Sequence, residues 1–223
     1  MFKINNNENF DIEYAFLEAY EASHGAKRLL FDLEIGAKRK NFVFFEHRIH
    51  LSSDIRLEIG KLLAIYPNQI KKWEDIAGIT IEWHEPEWDE PESDAPEEAF
   101  LYVLNDEESE EVYDGKAEFK NINDKLFIHI KAFVDMCVGS KWYKRIPLEI
   151  ETELHFNGIL CYIKPDEWPG ISDRWEDHCK EKFKPYLDAD DYKFVENING
   201  ASIMLPGGMR EKYFDRAKNG RFD

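Results

Sequence analysis

The alternation of apolar and polar residues is cleanest between residues 126 and 156. In "KLFIHIKAFVDM", Leu126, Ile128, Ile130, Ala132, Val134 and Met136 share one parity. In "RIPLEIETELHF", Ile146, Leu148, Ile150, Thr152 and Leu154 do the same. Side chains alternate between the faces of a strand. The two segments are therefore expected to form an antiparallel hairpin around Gly139–Lys141 with those residues in the core. The opposite face carries Phe127, His129, Lys131, Phe133 and Asp135 against Glu149, Glu151, Glu153 and His155. A turn centred on Lys141 sets Lys131 opposite Glu151 and His129 opposite Glu153.

Further strands are expected in "AKRLLFDLEIG" and "KNFVFFEHRIHLS", joined by a turn at Gly36–Lys40, and then in "GITIEW", "AFLYVLND", "VYDGKAEFKNI" and "ILCYI". Helical spacing competes at both ends of the chain. "FDIEYAFLEAY" places Phe10, Tyr14 and Leu17 on one helical stripe. "SSDIRLEIGKLLAIYPN" offers Ser53 as cap, a stripe of Ile55, Ile59, Leu62, Leu63 and Tyr66, and a stop at Pro67–Asn68. "SDRWEDHCKEKFKPYL" has Asp173 as cap with Glu176 three residues on. "MREKYFDRAKNG" predicts a last helix ending at Gly220. The class expected from this pattern is α+β: an antiparallel meander with flanking helices at the N- and C-terminal ends. It forms one domain over residues 1–223, with sub-lobes 1–80 and 99–223 joined by an acidic, proline-rich segment, 81–98.

Composition supports a packed core, with hydrophobic residues at 43% and aromatics at 14%. Charge changes the picture more. The net charge is −17, from 46 acids and 29 bases. Fifteen of the acids fall between Glu82 and Asp114, where there is no Lys or Arg. Removing those fifteen from the 46 leaves 31 acids against 29 bases, so the acidity belongs to one stretch. Carboxylates repel phosphates, which excludes nucleic acid as its ligand. A basic protein surface, or a divalent cation, is the natural complement. The stretch also carries Trp83, Trp88, Phe100, Tyr102 and Tyr113, aromatics that a purely solvating linker has no use for. Carboxylates supply steering and aromatics supply buried anchor area. The expected partner-binding residues are Glu85, Glu87, Trp88, Asp89, Glu90, Glu92, Asp94, Glu97, Glu98, Glu107, Glu108, Glu110 and Glu111.

Other chemistry is sparse. The three cysteines, Cys137, Cys161 and Cys179, are widely spaced, which fits free thiols in a reducing compartment. No apolar run is long enough for a membrane helix, and "MFKINNNENF" has no apolar signal core, so the expected address is the cytoplasm. Phosphate-loop, nucleophile-elbow, HExxH and EF-hand patterns are absent, and no cofactor is expected. In "HRIH", His47 and His50 fall on opposite faces of a strand. Asp177, His178 and Cys179 point about 100° apart on a helix, which does not align them for proton transfer. Metal candidates are His129, Glu153 and His155 on the outer hairpin face.

These features point to a cytoplasmic acidic binding protein or inhibitor. Its most specific form is an immunity-type protein neutralising a basic toxin or enzyme domain. The alternatives are a metal-assisted hydrolase using the His129/Glu153/His155 face, and a structural accessory protein that forms a homo-oligomer.

Overall fold

The structure is a computed structural model describing residues 1–5, 8–21, 27–38, 40, 42–44, 47–49, 55–84, 98–105, 108–138, 141–161, 175–198 and 201–206. Strands take 69% of the interpretable residues and a single α-helix is present among them. The elements are β1 (Phe2–Ile4), β2 (Glu8–Phe10), β3 (Ile12–Glu21), β4 (Leu29–Ala37), β5 (Phe42–Phe44), β6 (His47–Ile49), β7 (Ile55–Ile65), a 3₁₀ turn (Trp73–Ile76), β8 (Thr80–Trp83), β9 (Glu98–Asn105), β10 (Glu108–Ile122), β11 (Lys125–Val138), β12 (Lys141–Glu153), β13 (His155–Cys161), α1 (Trp175–Phe183), β14 (Lys193–Ile198) and β15 (Ala201–Leu205). The expected α+β class with flanking helices is thereby overturned: the protein is mostly β-sheet.

Both helices expected near the N-terminus are strands. Residues 10–20 fall largely in β3, where Ala15, Leu17 and Ala19 are buried and Tyr14, Phe16, Glu18 and Tyr20 are half-buried between them. Aromatics on the outer face disguise the two-residue period. In β7 the cause is different. Ile55, Leu57 and Ile59 alternate inward, Lys61 adopts φ 50°, and Leu62, Leu63 and Ile65 are buried beyond it. A left-handed residue shifts the parity of the residues beyond it, and the shifted strand leaves Ile55, Ile59, Leu62 and Leu63 at helical intervals. The Lys61 amide is satisfied by Asp32 Oδ1 at 2.7 Å.

The single strand expected over 40–52 is a short ribbon in which β5 pairs β6, Phe44 opposite His47. Of the C-terminal helices, α1 is present, with Cys179 and Phe183 buried one turn apart. Ser53, Asp173 and the segment 209–220 lie outside the described residues. Strands β1, β2, β14 and β15 carry no clear signal in the chain pattern.

The chain divides into two compact units: Met1–Leu17, Phe31–Leu63 and Ile76–His155 in the first, and Glu18–Leu30, Ala64–Asp75 and Phe156–Asp223 in the second. In the first, neighbouring strands run β3-β4-β7-β9-β10-β11-β12-β1-β2, with β8 also on β10. Strand β10 serves two partners along one edge. Its residues Glu108–Glu111 pair β9, and Gly115–Glu118 pair β8. The change falls at Asp114, whose φ is 45°, where the register with β11 jumps from Tyr113↔Phe133 to Lys116↔Lys131. Such a bulge bends a strand and lets it pass between pairing partners.

The β11–β12 hairpin buries the expected face: Leu126, Ile128, Ile130, Ala132, Val134, Met136, Ile146, Leu148, Ile150 and Leu154 are all at most 4% exposed, with Thr152 half-buried. Its register is not the expected one. The tip pairs Val138 with Lys141, and a bulge between Val134 and Met136 carries the pairing to Lys131↔Glu149, His129↔Glu151 and Phe127↔Glu153. A tighter turn shifts the pairing by three residues at the tip, and one extra residue on β12 reduces the shift to two for the outer-face pairs from Phe133 to Phe127.

In the second unit β14, β15 and β13 are neighbours. Trp73 stacks on Phe156 with centroids 5.3 Å apart, and Tyr192 meets Phe156 edge-on at 6.4 Å. Cys161 and Cys179 are buried free thiols and Cys137 is half-buried. No helix among the described residues is long and apolar enough to cross a membrane.

Candidate functional site

The first unit carries two polar constellations. One lies on the half-buried face shared by β3, β4, β7 and β9. Alternation puts Tyr14 and Phe16 of β3, Asp32 and Glu34 of β4, Arg56 and Glu58 of β7, and Phe100 and Tyr102 of β9 on the side opposite the buried Leu17, Leu33, Leu57 and Leu101. Tyr14 and Phe16 stack at 5.6 Å. The Tyr14 ring lies so close over Gly36 that no Cβ fits beneath it, and its hydroxyl donates to Glu34 Oε1 at 2.7 Å. Arg56 lies over the Tyr102 ring at 4.5 Å, with Nε 2.8 Å from Glu58 Oε1. Burial opposes the Arg56 charge, but Glu58, Glu34, Tyr14 and Tyr102 together outweigh it and hold its pKa above the usual range. Burial first, and then the charge and hydrogen bond of Glu58, push the Tyr102 phenol up.

The register makes this face continuous with the acidic stretch. Across β7, β9 and β10 the rows are Glu58–Phe100–Glu111 and Arg56–Tyr102–Ser109. Phe100 is thus half-buried between two carboxylates, one of them on the exposed Glu111. Directly opposed side chains on a sheet lie about 4.5–5.5 Å apart at Cβ. Sequence inspection finds Glu111, Phe100 and Tyr102, and it misses Tyr14, Phe16, Asp32, Glu34, Arg56 and Glu58. The last two sit in a segment whose apolar spacing reads as helical, where their common face with Phe100 and Tyr102 is not visible.

Of the expected partner-binding residues, Glu111 is exposed on this face, whereas Glu110 is half-buried and stands opposite Leu101, on the other side of the sheet. Glu98 and Glu108 lie in β9 and β10, and their side chains are outside the description. Glu85, Glu87, Trp88, Asp89, Glu90, Glu92, Asp94, Glu97 and Glu107 fall outside the described residues. Two of the aromatics read as anchors serve the interior instead. Trp83 is 4% exposed and donates its indole N–H to the Val112 carbonyl at 3.0 Å. Tyr113 is 8% exposed.

The second constellation surrounds the bulges of β10 and β12. Tyr113 OH donates to Asp135 Oδ1 at 2.5 Å, and the Arg145 amide donates to the same oxygen at 2.8 Å. Arg145 Nη1 reaches Asp114 Oδ2 at 2.9 Å, and Asp114 Oδ1 lies 3.7 Å from His84 Nδ1. Desolvation, then the hydrogen bond and charge of Asp135, push the Tyr113 phenol up to about 12. A phenol whose folded pKa is raised contributes stability that is complete below its unfolded value of 10 and is lost as pH climbs towards about 12. Tyr113→Phe is expected to flatten that alkaline decline in unfolding free energy; denaturant unfolding across the window checks it.

The metal candidates are not brought together as expected. His129 Nε2 lies 3.1 Å from Glu149 Oε1, whereas Glu153 stands opposite Phe127 and pairs Lys125 Nζ at 2.8 Å. His155 lies on the next strand, exposed. Among the described residues no group of three or more His, Cys, Asp or Glu side chains is arranged to hold a metal ion. No protein-family model, curated protein or solved structure matches the chain.

Proposed function

We propose that this protein binds a cationic protein partner through the aromatic and carboxylate face of β3, β4, β7 and β9 together with the acidic stretch that adjoins it. In its most specific form it is an inhibitor or immunity-type protein that covers a basic toxin or enzyme domain. The observation that carries the reading is the Glu58–Phe100–Glu111 row. It sets an aromatic anchor between acids drawn from inside and outside the acidic stretch. The Arg56 site supports it, because there the same face already holds a guanidinium over a ring and beside a carboxylate. An incoming Lys or Arg meets the same chemistry along the Phe100 row.

The test compares wild type with a variant reversed to Lys at Glu90, Glu92, Glu97 and Glu98, and with Phe100→Ala plus Glu111→Lys. Each is used as bait in extracts of the source cells at low salt, and kinetics are then measured on the purified captured protein. Wild type is expected to retain a basic protein that elutes with salt. The reversed chain is expected to associate at least about tenfold more slowly with a shallower salt dependence. Equal capture by all three baits, or capture of acidic proteins alone, overturns the reading.

A further inference from the structure

We infer that the tip of the β11–β12 hairpin is a second docking site, of opposite sign, for a carboxylate-bearing peptide segment of a protein partner, with Arg145 as its polar anchor and Trp142 as its apolar one. The tip reads Lys141–Trp142–Tyr143–Lys144–Arg145, three cations without an acid in a chain of net charge −17. Trp142 is 63% exposed, the most exposed large apolar side chain among the described residues. It pairs with the half-buried Cys137 on the outer side of the hairpin, opposite in parity to the buried Met136.

Arg145 is held with unusual care for a surface side chain. It occupies a bulge with φ 50°, a conformation costly for a residue with a Cβ. Its amide is fixed on Asp135 and one guanidinium nitrogen on Asp114. The guanidinium plane rests over Phe133 at 4.3 Å, with Tyr113 at 5.8 Å. The side chain is nonetheless 57% exposed, and its other N–H donors have no hydrogen-bond acceptor among the described residues. Strain that fixes a half-free guanidinium fork beside a bare indole is the arrangement of a pre-organised receptor.

The occupant is argued from the charges. Arg145 already takes a carboxylate, that of Asp114, in a 2.9 Å hydrogen bond. Beyond Arg145 the tip offers only Lys141 and Lys144, and Asp114 and Asp135 stand beside it. A nucleic acid or an anionic bilayer presents many phosphates and needs several cations to offset them. A short peptide with one or two carboxylates around an apolar residue needs only what the tip provides.

The probe is a synthetic peptide of alternating glutamate and leucine, titrated into the full chain at physiological salt. Binding is monitored by calorimetry and by the NMR signal of the Trp142 indole N–H, assigned through Trp142→Phe. A single site is expected, with the indole signal shifting. Trp142→Ala and Arg145→Lys are each expected to weaken binding by at least about tenfold. Arg145→Gly separates recognition from structure, because glycine accepts the positive φ and its backbone N–H still donates a hydrogen bond to Asp135. It is expected to fold and to lose the peptide. Absence of peptide binding by wild type, or equal binding by Arg145→Gly, overturns the inference. So does a result in which a single-stranded oligonucleotide or phosphatidylserine vesicles bind, sensitive to the same variants, while the peptide does not.

Discussion

Trp83→Ala is expected to lower the unfolding free energy by about 3–5 kcal/mol, the range for truncating a large aromatic in a core. Trp83 is 4% exposed and stands opposite Gly115 in the β8–β10 pair. Its ring lies directly across the position where Gly115 would carry a Cβ, so the glycine is the floor of its pocket. Truncation removes that packing and leaves the Val112 carbonyl without the indole donor it accepts at 3.0 Å. An unsatisfied buried carbonyl alone costs about 1–3 kcal/mol. Trp83→Phe keeps most of the ring volume and is expected to cost clearly less. Trp142→Ala is the control, since a residue 63% exposed belongs to the class whose substitution changes stability by about 0.5 kcal/mol or less. Urea unfolding of the three variants checks the order. A cost below about 1 kcal/mol for Trp83→Ala would remove this tryptophan from the core and return it to the partner-facing set.

Gly158→Ala is expected to cost roughly 2–5 kcal/mol, combining backbone strain with overpacking. Gly158 has φ +108°, outside what a residue with a Cβ adopts comfortably. An added Cβ would stand 2.6 Å from Ile203 Cγ2, 2.7 Å from the Met204 carbonyl oxygen and 2.8 Å from Leu205 Cδ2. Two of these are side-chain ends that can turn away. The third is backbone, fixed by the pairing of Ile159 with Met204, and cannot retreat without opening the β13–β15 ladder. Trimming Ile203 to Ala, which removes the Cγ2 that valine would keep, is therefore expected to give little rescue in a double-mutant cycle. Thermal unfolding of the single and double variants measures both effects. Full rescue by Ile203→Ala in that cycle would place the strain in the side chain and not in the backbone.

The binding face explains why part of the candidate site is hidden from the chain pattern. Glu111, Phe100 and Tyr102 stand out locally because acids and aromatics crowd together in one stretch. Glu58 and Arg56 belong to the same face only because β7 lies beside β9. Their own segment reads as a helix, since the left-handed Lys61 gives a strand the apolar intervals of one. Residues 12–21 mislead for the opposite reason. Both parities there carry apolar side chains, Ala15 and Leu17 inward and Tyr14 and Phe16 on the other face.

By itself the sequence determined the strands whose parity is clean, the buried face of residues 126–154, and the confinement of excess negative charge to one stretch. Those rest on nearest-neighbour geometry, which needs no knowledge of the rest of the chain. Only the tertiary structure decided that residues 12–21 and 55–65 are strands, that His129 faces Glu151 and not Glu153, that Trp83 is core, and that Phe100 stands between Glu58 and Glu111. Each depends on which strands become neighbours and on where a bulge shifts the pairing. Register and bulge position are set by contacts between residues far apart in sequence, so no local pattern records them.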